Sequence, residues 1–83
     1  NNLYDMNLAL SDTAKAINDE KVNVIYEATF VYSDTLVRAD VLLRKKNGWE
    51  LLEAKASTKL KDEHIDDIAI QSYIIKSSNV KIL

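Results

Sequence analysis

Three stretches dense in β-branched, aromatic and leucine residues, VNVIYEATFVY, LVRADVLLRKK and WELLEAKAS, follow one another with little but SDT and NG between them. Such segments read as strands. Loops this short join antiparallel neighbours, because a parallel return needs a crossover of about a dozen residues. The chain is therefore expected to form a three-stranded meander. Asn-Gly is the strongest short hairpin signal, so Asn47 and Gly48 are the expected second turn.

The flanks read as helix and strand. Ser11 or Asp12 is expected to cap a short helix running to about Asp19, with Ala14 and Ile17 as its apolar contacts. A second helix is expected from Lys59 or Leu60 to about Lys76, where Ile65, Ile68, Ala69, Ser72 and Ile75 recur at helical spacing. SSN ends it, and VKIL reads as the opening of a fourth strand. The order is αβββαβ, an α/β (α+β) arrangement.

A chain of 83 residues has room for one domain, 1–83. It begins without Met, holds one glycine and no proline, and reads as the structured part of a longer protein. Without cysteine, it has neither disulfides nor a Cys-held zinc or iron–sulfur cluster in this segment. No apolar run approaches the roughly 20 residues of a membrane span, and no signal peptide is evident. A cytoplasmic protein without a membrane partner is expected. The net charge of −2 does not advertise a nucleic-acid binder. Charge is local, however: Arg44, Lys45, Lys46, Lys59 and Lys61 gather around and beyond the hairpin, while Asp12, Asp19 and Glu20 lie elsewhere.

With Asn47–Gly48 as the turn, Asp40 is expected opposite Lys55 and Leu42 opposite Glu53. Glu53 and Lys55, two apart on a strand, share a face, which places Asp40 there too. A two-residue turn at Ser33–Asp34 sets Glu27 opposite Asp40. Glu27, Asp40, Glu53 and Lys55 then form a band across three strands, with Ile25, Leu42, Leu51 and Trp49 completing its face. Read alone, an Asp opposite a Lys is ordinarily a solvated ion pair and Glu27 an exposed strand residue. The strands, however, are apolar on both faces over most of their length, which implies a sheet covered on both sides, where unpaired charge is costly. Three carboxylates on one patch repel one another unless a cation sits among them. Mg²⁺ or Mn²⁺ suits such an all-oxygen site, with the Ala54 backbone carbonyl as a further ligand. A lysine beside them can orient or deprotonate water or steady a phosphate, which together are the parts of metal-assisted phosphodiester hydrolysis.

Asp40 on the second strand and the tripeptide EAK, Glu53 to Lys55, on the third resemble the PD-(D/E)XK nuclease superfamily, whose core is αβββαβ, restriction-endonuclease-like, with a central mixed sheet flanked by helices. HIDDIAIQSYII is similar to the segment of the RecB and Cas4-like branch that carries a Gln and a Tyr. The wording from Val24 to Tyr73 most resembles the DUF2779 group of long bacterial proteins. The resemblance implies that Asp40, Glu53 and Lys55 are catalytic, that Glu27, Asp40, Glu53 and the Ala54 carbonyl hold the metal, and that Gln71 and Tyr73 bind substrate or order the site. His64, sharing a helical stripe with Asp67 and Gln71, joins them; read alone, it is a solvated or capping residue, and Gln71 a surface one. The family pattern places its Tyr four residues after the Gln, where this chain has Ile75. Trp49 reads as packing.

The expected function is a metal-dependent nuclease domain acting on DNA, with RNA as the alternative substrate and the rest of the parent chain as a partner, in repair, recombination or defence. The alternative is a non-catalytic nucleic-acid- or protein-binding module that keeps the fold.

Overall fold

The computed structural model describes residues 3–58 and 64–83, apart from the side chains of Leu3, Tyr4 and His64. Helix α1 spans Leu3–Asn18, followed by strands β1 (Val24–Tyr32), β2 (Thr35–Lys45), β3 (Gly48–Thr58) and β4 (His64–Ile65) and helix α2 (Ile68–Lys76). The strands form an antiparallel sheet in the order β1-β2-β3-β4. The result is a small α+β domain. Among the described residues, no helix is long and apolar enough to cross a membrane.

The first hairpin follows the expected register: Tyr32 pairs with Thr35 and Ile25 with Leu42, leaving Ser33–Asp34 as the turn. Ser33 takes a positive φ of 58°, a backbone suited to a tight turn. The second hairpin does not follow it. Lys45 pairs with Gly48, so the turn is Lys46–Asn47, and Arg38 rather than Asp40 lies opposite Lys55. Glu53 pairs with Val41 rather than Leu42. The glycine answers a different demand: at φ +152°, a Cβ on Gly48 would lie 2.8 Å from the carbonyl oxygen of Lys81. Its missing side chain admits the C-terminal segment. There Trp49 N–H donates to Lys81 O at 2.8 Å and Leu83 N–H to Trp49 O at 2.9 Å. The expected VKIL strand is thereby a short parallel bridge between Trp49 and Ile82.

At one level of the sheet, all three long strands reverse their pleat. In β1 the buried positions pass from Ile25 to Ala28 and Phe30, in β2 from Val37 and Ala39 to Leu42, and in β3 from Trp49 to Ala56. Each strand therefore presents two consecutive residues to the side away from the core: Tyr26 and Glu27, Asp40 and Val41, Leu52 and Glu53. The β2–β3 register shifts at Asp40 and again at Leu52, the signature of facing β-bulges. In β1 the irregularity is Glu27, at φ 54°. Ile25, Leu42, Leu51 and Trp49, expected beside the charged band, lie instead on the core side, because each bulge flips the alternation that the expectation assumed.

The core joins this one face to Ile74 and Ile75 of α2, to Val80 and Ile82, and to Ala16, Ile17 and Val22 at the end of α1. Among the described residues the opposite face is open, with Tyr26 at 73% and Leu52 at 52% exposure. Among the described residues the sheet is thus covered mainly on one side, with Thr29 on the other buried beside α1, and not on both sides along its length as expected. Helix α1 begins well before Ser11 and lies beside β1, where the Thr29 amide donates to Thr13 Oγ1 at 2.9 Å. Helix α2 begins at Ile68, capped by Asp67, whose carboxylate accepts from the Ala69 amide at 2.9 Å. Its expected start at Lys59 or Leu60 lies outside the described residues. His64 and Ile65, expected within that helix, form β4 against Ser57 and Ala56.

Candidate functional site

The bulges gather the expected site residues on the open face. Glu27, Asp40 and Lys55 line one groove of about 230 Å³, together with Leu36, Arg38, Ala56 and Ser57. Lys55 Nζ lies 4.0 Å from Asp40 Oδ2, a diagonal approach from the strand position opposite Arg38. The lysine side chain is largely exposed and the aspartate mostly covered. The anion is therefore fixed by the sheet while the cation remains free to reach a ligand. An ordinary strand shows one residue in two to a given face, so paired exposure at each bulge raises the density of side chains at this level.

Glu53 shares the face and the level but is absent from the groove lining. Among the described residues, no three His, Asp or Glu side chains come close enough together to hold a metal ion. The donors present still fit one: Mg²⁺ is commonly bound through one or two carboxylates, with water completing its shell, and Glu27 and Asp40 border the same space. The Ala54 carbonyl accepts from Gln71 Nε2 at 3.3 Å, and a carbonyl oxygen has a second lone pair for another partner.

The residues carried by the C-terminal half are placed differently. Gln71 is only 3% exposed and donates to Ile65 O at 2.9 Å as well as to Ala54 O. It ties α2 to β3 and β4 by satisfying buried carbonyls. Asp67 is the cap and His64 a strand residue, so the expected helical stripe of His64, Asp67 and Gln71 does not form. The side chain of His64 lies outside the described residues, as do Lys59 and Lys61. Tyr73 is exposed and meets Tyr32 edge-on, with ring centroids 5.7 Å apart. Its hydrogen bond with Tyr32 and the charge on that neighbour raise the Tyr73 phenol above its ordinary pKa, with a smaller contribution from desolvation. It is not among the groove-lining residues.

The sequence did not reveal the roles of two arginines. Arg44, expected in a basic cluster, packs its guanidinium 4.3 Å above the Trp49 ring. It also donates to the carbonyls of Val22 at 2.8 Å and of Ile17 and Asp19 at 3.0 Å. It thus caps the C-terminal end of α1, where a cation is favoured. Trp49 is buried, as its reading as a packing residue anticipated. Arg38, by contrast, is exposed in the groove and makes no ion pair or hydrogen bond among the described residues. Its alternation with Asp40 along RAD was the available signal. No protein-family model, curated protein or solved structure matches this chain.

Proposed function

We propose that this domain is a metal-dependent nuclease of PD-(D/E)XK type that hydrolyses phosphodiester bonds in DNA, with a restriction-endonuclease-like core. The observation that carries the reading is the joint placement of Glu27, Asp40 and Lys55 in one groove beside aligned bulges. Glu27 strengthens it. A glutamate at φ 54° inside a strand is strained by about 1–2 kcal/mol relative to extended backbone, and such strain concentrates at functional sites.

Glu27 and Asp40 would hold Mg²⁺ or Mn²⁺, with Glu53 at the same level as the further carboxylate. Bound there, the ion supplies Lewis-acid polarisation of a phosphoryl oxygen. Lys55 directs its ammonium hydrogens to the attacking water and to phosphate, and Asp40 restrains that ammonium from one side. The water oxygen forms the new bond to phosphorus as the bond to the leaving sugar oxygen breaks; the attacking water gives up its proton to solvent water, and the departing oxygen takes up a proton from solvent.

A Mn²⁺ titration of the nitrogen-15-labelled protein, followed by cleavage assays, tests this. Selective broadening at the Glu27 and Asp40 amides, with cleavage abolished in Asp40→Ala and Lys55→Ala variants of unchanged fold, is expected. Cleavage retained by a clean Lys55→Ala preparation would sink the mechanism. Nucleic-acid binding by a protein that neither takes up Mn²⁺ at this site nor cleaves when the metal is supplied would favour the non-catalytic binding module.

A further inference from the structure

We infer that Arg38 and Lys55 together grip a phosphate group, which makes Arg38 a substrate-binding residue of the groove. The identity of that phosphate, one in a nucleic-acid backbone, rests on the nuclease reading above.

The argument begins with an unfavourable pairing. Arg38 and Lys55 are directly opposite each other on neighbouring strands. Like charges in that arrangement repel, and a sheet selected only for stability would place a carboxylate in one of the two positions. The nearby Asp40 is 4.0 Å from Lys55, while Arg38 has no carboxylate partner among the described residues. Two cations side by side in one groove, one without a carboxylate partner among the described residues, form a receptor for an anion that bridges them.

The chemistry of the two groups selects the anion. A guanidinium offers paired donors in a plane that match two oxygens of a phosphate, and an ammonium adds a point charge that can shift to follow it. Ser57, also in the lining, brings a hydroxyl to the same end of the groove, and Leu36 provides an apolar wall. The groove is polarised along the strands. Glu27 and Asp40 occupy the bulge level, and the cations lie one pleat step closer to the Ser33–Asp34 turn. A phosphate is repelled from the first end and drawn to the second. It is thereby registered beside the carboxylates rather than on top of them.

The test measures binding of a short fluorescein-labelled oligothymidylate by anisotropy in EDTA, over a range of salt concentrations. Neither metal nor cleavage is needed. Arg38→Gln is expected to weaken binding roughly tenfold, as for loss of one charge-assisted contact, and to make the slope of log affinity against log salt shallower by about 0.7, the value for one phosphate contact on a single strand. Lys76→Gln, an exposed cation on α2, is the control and should change neither. An Arg38→Gln protein that behaves like the Lys76→Gln control overturns the inference, even if the wild type cleaves DNA. Loss of binding in Arg38→Gln sustains it, even if no cleavage is ever seen. Should circular dichroism show Arg38→Gln unfolded, Arg38→Lys decides: weaker binding at an unchanged salt slope supports the paired-donor grip, and wild-type affinity overturns it.

Discussion

Replacing Arg44 with alanine separates the two roles that an arginine near the hairpin can have. The side chain makes three hydrogen bonds to main-chain carbonyls and stacks on Trp49. Each partly exposed bond contributes about 1 kcal/mol net. The cation–π contact adds about 0.5–1 kcal/mol. The substitution should therefore cost about 3.5–4 kcal/mol. A domain of this length has a total stability of about 4–12 kcal/mol, so the loss removes a large share of it. In urea, with a slope of about 1 kcal/mol per molar for so small a protein, the midpoint should fall by about 3.5–4 M at unchanged slope. Arg44→Lys keeps a cation at the end of α1 but cannot fork to three carbonyls, and should fall between the two. Circular dichroism follows the backbone, and Trp49 fluorescence should shift in the same transition as its cationic cover is lost. A midpoint drop under about 0.5 M would refute the clamp. Weaker oligonucleotide binding by a fully folded Arg44→Ala would return Arg44 to the basic surface where the sequence alone placed it.

Glu27→Gly should stabilise the fold by about 0.5–1 kcal/mol in urea melts, as relief of the positive φ outweighs the added chain entropy of glycine, while Mn²⁺ broadening near Asp40 weakens; a loss of stability would show the backbone to be unstrained. Gln71→Leu strands the carbonyls of Ile65 and Ala54 and should cost about 1–3 kcal/mol, with faster amide exchange in β4. Full stability with a raised KM for cleavage would instead make Gln71 a substrate contact. Tyr32→Phe should bring the Tyr73 phenol back toward its ordinary value of about 10, as followed by ultraviolet titration. Because the folded-state pKa is the raised one, the stability linked to Tyr73 is full below the unfolded value and fades as pH rises through the folded value, so the variant should lose this alkaline dependence.

The composition of β1, β2 and β3 made the meander legible, because strands of that kind joined by such short turns leave few alternatives. The end of α2 at Lys76 and the extended character of VKIL were legible for similar local reasons, though not its pairing beside β3. The second turn was misplaced because Asn-Gly is a local signal, whereas Gly48 answers to the approach of Lys81, far along the chain. The start of α2 was misplaced because Ile65 and Ile68 fit a helical period equally well when Ile65 is a strand residue packed under α2. Arg44 looked like surface charge because nothing in its neighbourhood of sequence reveals that the end of α1 folds onto it. Gln71 looked like a site residue and is buried structure.

The charged band nevertheless came out on one face, and the reason lies in a shift of even length. Moving the hairpin turn from Asn47–Gly48 to Lys46–Asn47 changes the pairing by two residues, and a slip of two leaves every side chain on the face it had. Asp40, Glu53 and Lys55 thus stayed together although none kept its expected partner across the second hairpin. The bulges have the opposite effect on the neighbours. By presenting Tyr26 with Glu27, Asp40 with Val41, and Leu52 with Glu53, they move Ile25, Leu42 and Leu51 to the core side. A regular sheet could have buried those residues and exposed the carboxylates only with a different alternation along every strand. Aligned bulges let strands that are apolar at both parities supply one continuous core and, at a single level, a charged surface. That places the irregularity and the chemistry at the same level of the sheet. A change that removes one of the two facing bulges, such as deleting Leu52, leaves the extra residue at Asp40 uncompensated, and is then expected to abolish the groove even though it removes no charged residue. The chemical shifts of Lys55 and Ser57 would report it; unchanged shifts in a folded Leu52 deletion would show that the groove does not depend on the bulges.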